Sequence, residues 1–172
     1  AEQLRAFAQI IRNGHLYKGH RPVHWCLDCR SSLAEAEAEY EERTSPSIDV
    51  RFEVVDRADL ARRLGLDSLP AGRASVVIWT TTPWTLPANQ AVALHPEFEY
   101  SLLAVESHGS EELLVLAAEL APSVLQRAGI AASREIARGK GAQLEGLVLR
   151  HPFYDHSVPT IRGEHVTLDS GT

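Results

Sequence analysis

The sequence has no methionine and only two cysteines among its 172 residues, and no stretch approaches the ~20 consecutive apolar residues of a membrane-crossing helix. Two cysteines are too few for a disulfide scaffold, and Ala1-Glu2-Gln3-Leu4-Arg5 lacks the basic-then-apolar pattern of a secretory leader. The expected setting is therefore cytoplasmic, with no membrane partner. Without an initiator methionine, and with Asp169-Ser170-Gly171-Thr172 at its end, the chain is expected to be a piece of a larger protein. Positive charge is also scarce. Seventeen Lys and Arg against 23 Asp and Glu leave a net charge of -6, which argues against tight nucleic-acid binding by this segment alone, because phosphate contacts need a basic surface. A weak contact supported by a basic neighbour stays open. His-Glu-x-x-His, the phosphate-cradling Gly-x-x-x-x-Gly-Lys and the Gly-x-Ser-x-Gly elbow are all missing.

What is present suits a globular α+β chain: 44% hydrophobic and 23% charged residues. Leu4, Phe7, Ala8 and Ile11 form one apolar stripe at helical spacing, with Asn13-Gly14 as the stop. Residues 31–42 are ambiguous. Ser32 and Glu35 fit a capping box, yet Ala34, Ala36, Ala38 and Tyr40 alternate with glutamates at a strand period, and a short turn followed by a strand is predicted. Thr44-Ser45-Pro46-Ser47 is a break, which divides a stem of helix, cysteine turn and connecting strand (1–46) from a main domain (47–172). Beyond it Ile48, Val50, Phe52 and Val54 alternate with polar residues, and Ala74–Trp79 is a continuous apolar run expected to be a strand buried on both faces. Helices are predicted at 57–65 and 116–128, and further strands near 91–94, 99–105, 112–116, 134–138, 146–149 and 164–169. Many short strands with few helices imply a compact, mostly-β, barrel-like domain.

Trp79-Thr80-Thr81-Thr82-Pro83-Trp84-Thr85-Leu86-Pro87-Ala88-Asn89 follows the buried run directly. Threonines at a strand end gather hydroxyls and backbone amides in a small volume, and each hydroxyl donates one hydrogen bond and accepts two. Pro83 and Pro87 stiffen the loop, Trp84 can wall a pocket, and Asn89 offers a donor and an acceptor. By composition alone the stretch reads more readily as a Thr-rich strand end with a proline turn and a core tryptophan, since loops with Thr and Pro are common.

The order of these residues resembles the threonine-rich signature of isoleucyl-tRNA synthetase editing domains. The valyl and leucyl relatives typically carry Arg and an acidic residue where this chain has Thr82 and Trp84. Asn13–Gly19, Pro22–Cys26, Ser32–Tyr40, Thr44–Ser47, His151-Pro152-Phe153 and Gly163–Thr172 match the same family in order. The resemblance implies a barrel-like editing domain that hydrolyses valyl-adenylate and valyl-tRNA(Ile), while the parent enzyme ligates isoleucine to tRNA using ATP that is not bound here. The ATP signatures His-Ile-Gly-His and Lys-Met-Ser-Lys-Ser are absent. One methylene is worth only about 1–3 kcal/mol in a hydrophobic pocket, isoleucyl-tRNA synthetases being the usual illustration of that limit, so a second, smaller site removes valine. The implied partners are the acceptor end of tRNA(Ile), the mischarged substrate and the catalytic core of the same polypeptide. The implied catalytic residues are Thr80, Thr81 and Thr82, with Trp84, Thr85 and Asn89 binding substrate. The family also has a His on the next strand and an Asp that grips the α-amino group. Both would fall beyond Thr172, so this segment alone is expected to hydrolyse valyl-tRNA poorly.

Cys26-Leu27-Asp28-Cys29 reads as half a zinc site, a redox pair or two plain cysteines; tetrahedral zinc takes four ligands, and His20 and His24 do not complete a standard spacing. The resemblance favours the half zinc site, its other cysteines lying elsewhere in the parent protein. That leaves a non-catalytic, zinc-tipped module contacting tRNA or another domain as the alternative function. No βαβ pattern surrounds the pair, which counts against a thiol oxidoreductase. His165 and Asp169, four apart on an expected strand, could form a base pair of residues, but a structural role is the expectation.

Overall fold

A computed structural model describes residues 1–42, 44–107 and 109–168. The chain divides into two compact units, Ala1–Thr44 and a second from Ser45 onward.

The first unit opens with helix α1 (Glu2–Arg12), none of whose residues is buried. Its apolar stripe of Leu4, Phe7, Ile10 and Ile11 faces solvent. A two-stranded hairpin follows, β1 (His24–Cys26) antiparallel to β2 (Ser31–Leu33), with Cys26 opposite Ser31. Arg30, which closes its turn, is the one described non-glycine residue with positive φ, at 52°. The strand predicted from the Ala/Glu alternation does not form. A single 3₁₀ turn (Glu35–Glu37) stands there, fastened by the Glu37 carboxylate on the Ala34 N–H at 2.8 Å. Alanine and glutamate are poor strand formers, and a two-face pattern without a neighbouring strand has nothing to pair with.

The second unit is a mixed sheet of eight strands: β3 (Ile48–Val54), β4 (Ala74–Thr80), β5 (Val92–Leu94), β6 (Glu99–Ser107), β7 (Ser110–Ala117), β8 (Ser133–Lys140), β9 (Val148–Arg150) and β10 (Ser157–Arg162). Their order is β5-β10-β9-β3-β4-β7-β6-β8, with β4·β7 and β5·β10 parallel and the other pairs antiparallel. One core draws Val92, Val158, Leu149, Phe52, Val76, Val115 and Leu102 from seven strands, with Ile136 of the eighth packed against it. A flat sheet could not bring its two edges to one core, so the sheet curls, barrel-like but open along β5 and β8. The 3₁₀ turn Gly141–Leu144 touches both edge strands. Gly141 is required there, since a Cβ would run into the His95 carbonyl.

The apolar run of β4 is covered on both sides as its composition demands. Ala74 and Val76 enter the inner core, while Val77 joins Leu103, Leu114 and Leu116 beneath helix α3 (Ala121–Arg127) on the outer face. Arg127 pins that helix to β3 through both oxygens of Asp49, at 3.0 and 2.8 Å. Helix α2 (Arg57–Arg63) begins on Asp56, whose carboxylate accepts the N–H groups of Ala58 and Asp59.

Two expectations need correction. The helix predicted from Leu116 starts only at Ala121, because Leu116 and Ala117 complete β7. The strand predicted at 164–169 is absent through Leu168, and Asp169 lies outside the described residues. The real strand is β10, disguised by Pro159. That proline is tolerated because β10 changes partners there: it pairs with β9 up to Pro159 and with β5 from Thr160.

Candidate functional site

Strand β4 carries Ala74, Val76 and Ile78 toward the inner core, and period-two alternation puts Thr80 on that same face at the strand's exit. The hydroxyl thus sits at the rim of the curled sheet. The chain turns at once into a 3₁₀ segment, Pro83–Ala88, with proline at its first position. The Thr80 hydroxyl accepts the Thr82 N–H at 3.0 Å, and the two hydroxyl oxygens lie 3.2 Å apart. One O–H is used between them. The pair retains one O–H donor and two acceptor lone pairs for a further group.

Of the sequence-predicted catalytic threonines, the structure brings Thr80 and Thr82 together and leaves Thr81 exposed, outside that pair. Thr85 donates its hydroxyl to the Thr82 carbonyl at 2.7 Å, and its own N–H meets the same oxygen at 2.9 Å. Its O–H is therefore committed to the turn. Trp84 is 67% exposed, so its indole is no part of the core. Asn89 donates from Nδ2 to the Ala91 carbonyl at 2.9 Å, while its Oδ1 is buried without a hydrogen-bond partner among the described residues. A buried acceptor left unpaired costs about 1–3 kcal/mol.

Leu86, only 3% exposed, plugs the turn into the core. Its carbonyl accepts the Asn89 N–H at 2.9 Å and a bond of 2.8 Å from Nε2 of His151, a buried histidine just past β9. Nδ1 of His151 accepts the N–H groups of Phe153 and Tyr154, each at 3.1 Å, and this fixes the neutral tautomer with its proton on Nε2. The sequence presented His151 only as part of a matching tripeptide. No spacing rule links residues 65 positions apart.

Cys26 and Cys29 face each other across their turn, the Cys29 N–H pointing at the Cys26 sulfur at 3.4 Å. The Cys29 N–H first, then the Cys29 side chain and the Asp28 N–H, holds the Cys26 thiol below its ordinary pKa. Among the described residues no three His, Cys, Asp or Glu side chains gather as a metal would require. Two thiolates do not fit a closed zinc site by themselves. His165 lies in the turn after Gly163 rather than on a strand.

The curled sheet with its threonine-bearing rim is an editing-domain fold. It resembles the crystal structures of GlLeuRS-CP1 (TM-score 0.60, 14% identity, 74% of this chain and 52% of that one) and of the P. knowlesi cytosolic leucyl-tRNA synthetase editing domain (TM-score 0.61, 11% identity, 73% and 55%). The chain belongs to the class I tRNA synthetases (I, L, M and V), the family that matches residues 1–151. The isoleucine–tRNA ligase of Halorhodospira halophila is 59% identical over 171 residues, 98% of this chain. Those of Thioalkalivibrio sulfidiphilus and Serratia proteamaculans are 58% and 57% identical over 172 residues, the whole chain. The chain spans 18% of the length of each. No helix among the described residues is long and apolar enough to cross a membrane.

Proposed function

We propose that this chain carries the editing site of an isoleucine–tRNA ligase and clears valine from valyl-adenylate and valyl-tRNA(Ile). The observation that carries this reading is the Thr80–Thr82 hydroxyl pair, with bonding capacity to spare, at the start of a turn whose last residue, Asn89, has an unpartnered side-chain oxygen. Water held by the pair attacks the activated acyl carbon. The carbonyl oxygen gains negative charge, and the adenylate phosphate or the tRNA hydroxyl leaves with the electron pair and a proton from the water. Both leaving groups are good, so the site has mainly to position that water and to stabilise the oxyanion. Thr81 adds a donor at the rim, and Thr85 braces the turn. Asn89 accepts a hydrogen bond from the substrate or its terminal adenosine. Trp84, free of the core, closes over the side chain and leaves room for valine but not isoleucine.

The parent enzyme, in this reading, is cytoplasmic and consumes ATP in a separate catalytic core of the same polypeptide. The acceptor end of tRNA(Ile) travels between the two sites. Cys26 and Cys29 supply two zinc ligands only if cysteines elsewhere in that polypeptide complete the set.

Thr82→Ala in the full-length protein tests the proposal. Removing one group that stabilises the developing charge slows deacylation by about 100-fold, and valyl-tRNA accumulates while isoleucine charging serves as the control for folding. Unchanged valyl-tRNA levels favour a binding module with no hydrolytic role.

A further inference from the structure

We propose that His151 is a positioning residue for the threonine turn, acting through the Leu86 carbonyl. This rests on the editing reading and adds to it a residue from a distant part of the chain. One carbonyl oxygen joins the threonine turn to a distant part of the chain. Leu86 lies between Thr82 and Asn89 along the turn, and the two lone pairs of its carbonyl are both engaged, one by the Asn89 N–H at 2.9 Å and one by His151 Nε2 at 2.8 Å. The first bond fixes where the Asn89 side chain starts. The second fixes the whole 3₁₀ segment to the strand β9 side of the sheet.

His151 is itself held so that it has no freedom to follow a moving loop. It is 3% exposed. Its Nδ1 accepts two backbone N–H groups, and its own N–H donates to the His156 carbonyl at 3.0 Å, which closes the 151–156 loop. Phe52 meets its ring edge-on with centroids 6.2 Å apart, and Tyr154 and His156 lie against it at 5.2 and 4.5 Å. Phe52 is in turn a fully buried residue of β3, paired with Val76 of β4. The strand that delivers Thr80 and the histidine that holds Leu86 are thus referenced to the same core. Thr80 is placed by β4 from one side of the turn, and Thr82, Thr85 and Asn89 by His151 from the other.

Only the neutral Nε2–H tautomer serves, because Nδ1 must accept while Nε2 donates. The two jobs can be separated by substitution. His151→Asn keeps an acceptor near the Nδ1 position, able to close the 151–156 loop as an Asx turn, but loses the donor that reaches Leu86. His151→Gln extends an amide donor toward the Nε2 position.

The test measures valyl-tRNA deacylation by the full-length protein, wild type, Thr82→Ala, His151→Asn and His151→Gln, as kcat and KM per folded molecule. Misplacing reacting groups by about 1 Å costs on the order of 100-fold in rate. His151→Asn should therefore lower kcat by about 10- to 100-fold with KM changed less than about threefold, and His151→Gln should recover most of the loss. If His151→Asn lowers only the melting temperature and leaves kcat intact, or if Gln and Asn are equally impaired, the positioning role is wrong. If wild type and Thr82→Ala deacylate alike, the editing reading itself has failed, a result distinct from either.

Discussion

Two polar turns follow strands in this chain, Cys26–Cys29 in the first unit and Thr80–Asn89 in the second, and they are supported very differently. The cysteine turn stands on a ladder of three residue pairs whose strands are exposed or half-buried. The threonine turn continues a seven-residue strand covered on both faces, drives Leu86 into the core and is tied to His151. A reactive constellation needs side chains whose own supports are fixed. The second turn has them within its own unit, and the first would have to acquire them from a metal or from other parts of a larger protein.

That comparison predicts unequal responses to the same change. Phe52→Ala removes a fully buried ring beside His151 and should destabilise the second unit by about 3–5 kcal/mol. Phe7→Ala, at a position 51% exposed on α1, should change unfolding by less than about 0.5 kcal/mol. Denaturant melts of the two variants check this, and equal losses would break the contrast. Next in size is Trp84→Ala. Opening the rim should let the site hydrolyse isoleucyl-tRNA as well, and a methylene's worth of discrimination amounts to roughly 10- to 200-fold. Comparing deacylation of the two aminoacyl-tRNAs by the variant gives the answer, and retained discrimination would remove Trp84 from the site. Asp56→Ala should cost about 1 kcal/mol through the lost cap on α2. Helix α1 starts without any side-chain cap, so Ala1→Val removes no cap and should leave its helicity by circular dichroism unchanged.

The smallest effect concerns pH. Arg138 first, then the Ser101 hydroxyl at 2.6 Å, holds the Glu135 carboxyl below its ordinary range. A folded value below the unfolded one means the stabilisation is complete above the ordinary glutamate range and fades as pH falls toward the lowered value. Carboxyl titration by NMR should give Glu135 a midpoint below a typical glutamate, and Ser101→Ala should move it upward. The Glu2–Arg5 pair of the first unit is exposed on both sides and should contribute at most about 0.5 kcal/mol.

Much of the second unit is legible in one dimension. Ile48, Val50, Phe52 and Val54 announce β3 by alternation, and Ala74–Trp79 announces a strand covered on both faces. Both signals are local. Pro159 hid β10 because the rule against proline in strands has an exception where partners change, and partners are not visible in sequence. The Ala/Glu alternation misled for the opposite reason, a strand period without a neighbour. Within the candidate site, the order of the threonines and Asn89 could be read. That Thr80 and Thr82 pair while Thr81 stands apart depends on the turn geometry, and the His151–Leu86 link depends on a fold that joins residues 65 apart.

The central claim is that the turn carrying Thr80, Thr82 and Asn89 receives a valyl group and refuses an isoleucyl one. Its most direct test is a structure of the full-length protein soaked in parallel with non-hydrolysable valyl- and isoleucyl-adenosine. The account predicts the valyl compound within hydrogen-bond distance of the threonine hydroxyls and Asn89 Oδ1, and no isoleucyl compound there. Both compounds bound alike at the rim, or the valyl compound bound elsewhere, would contradict it.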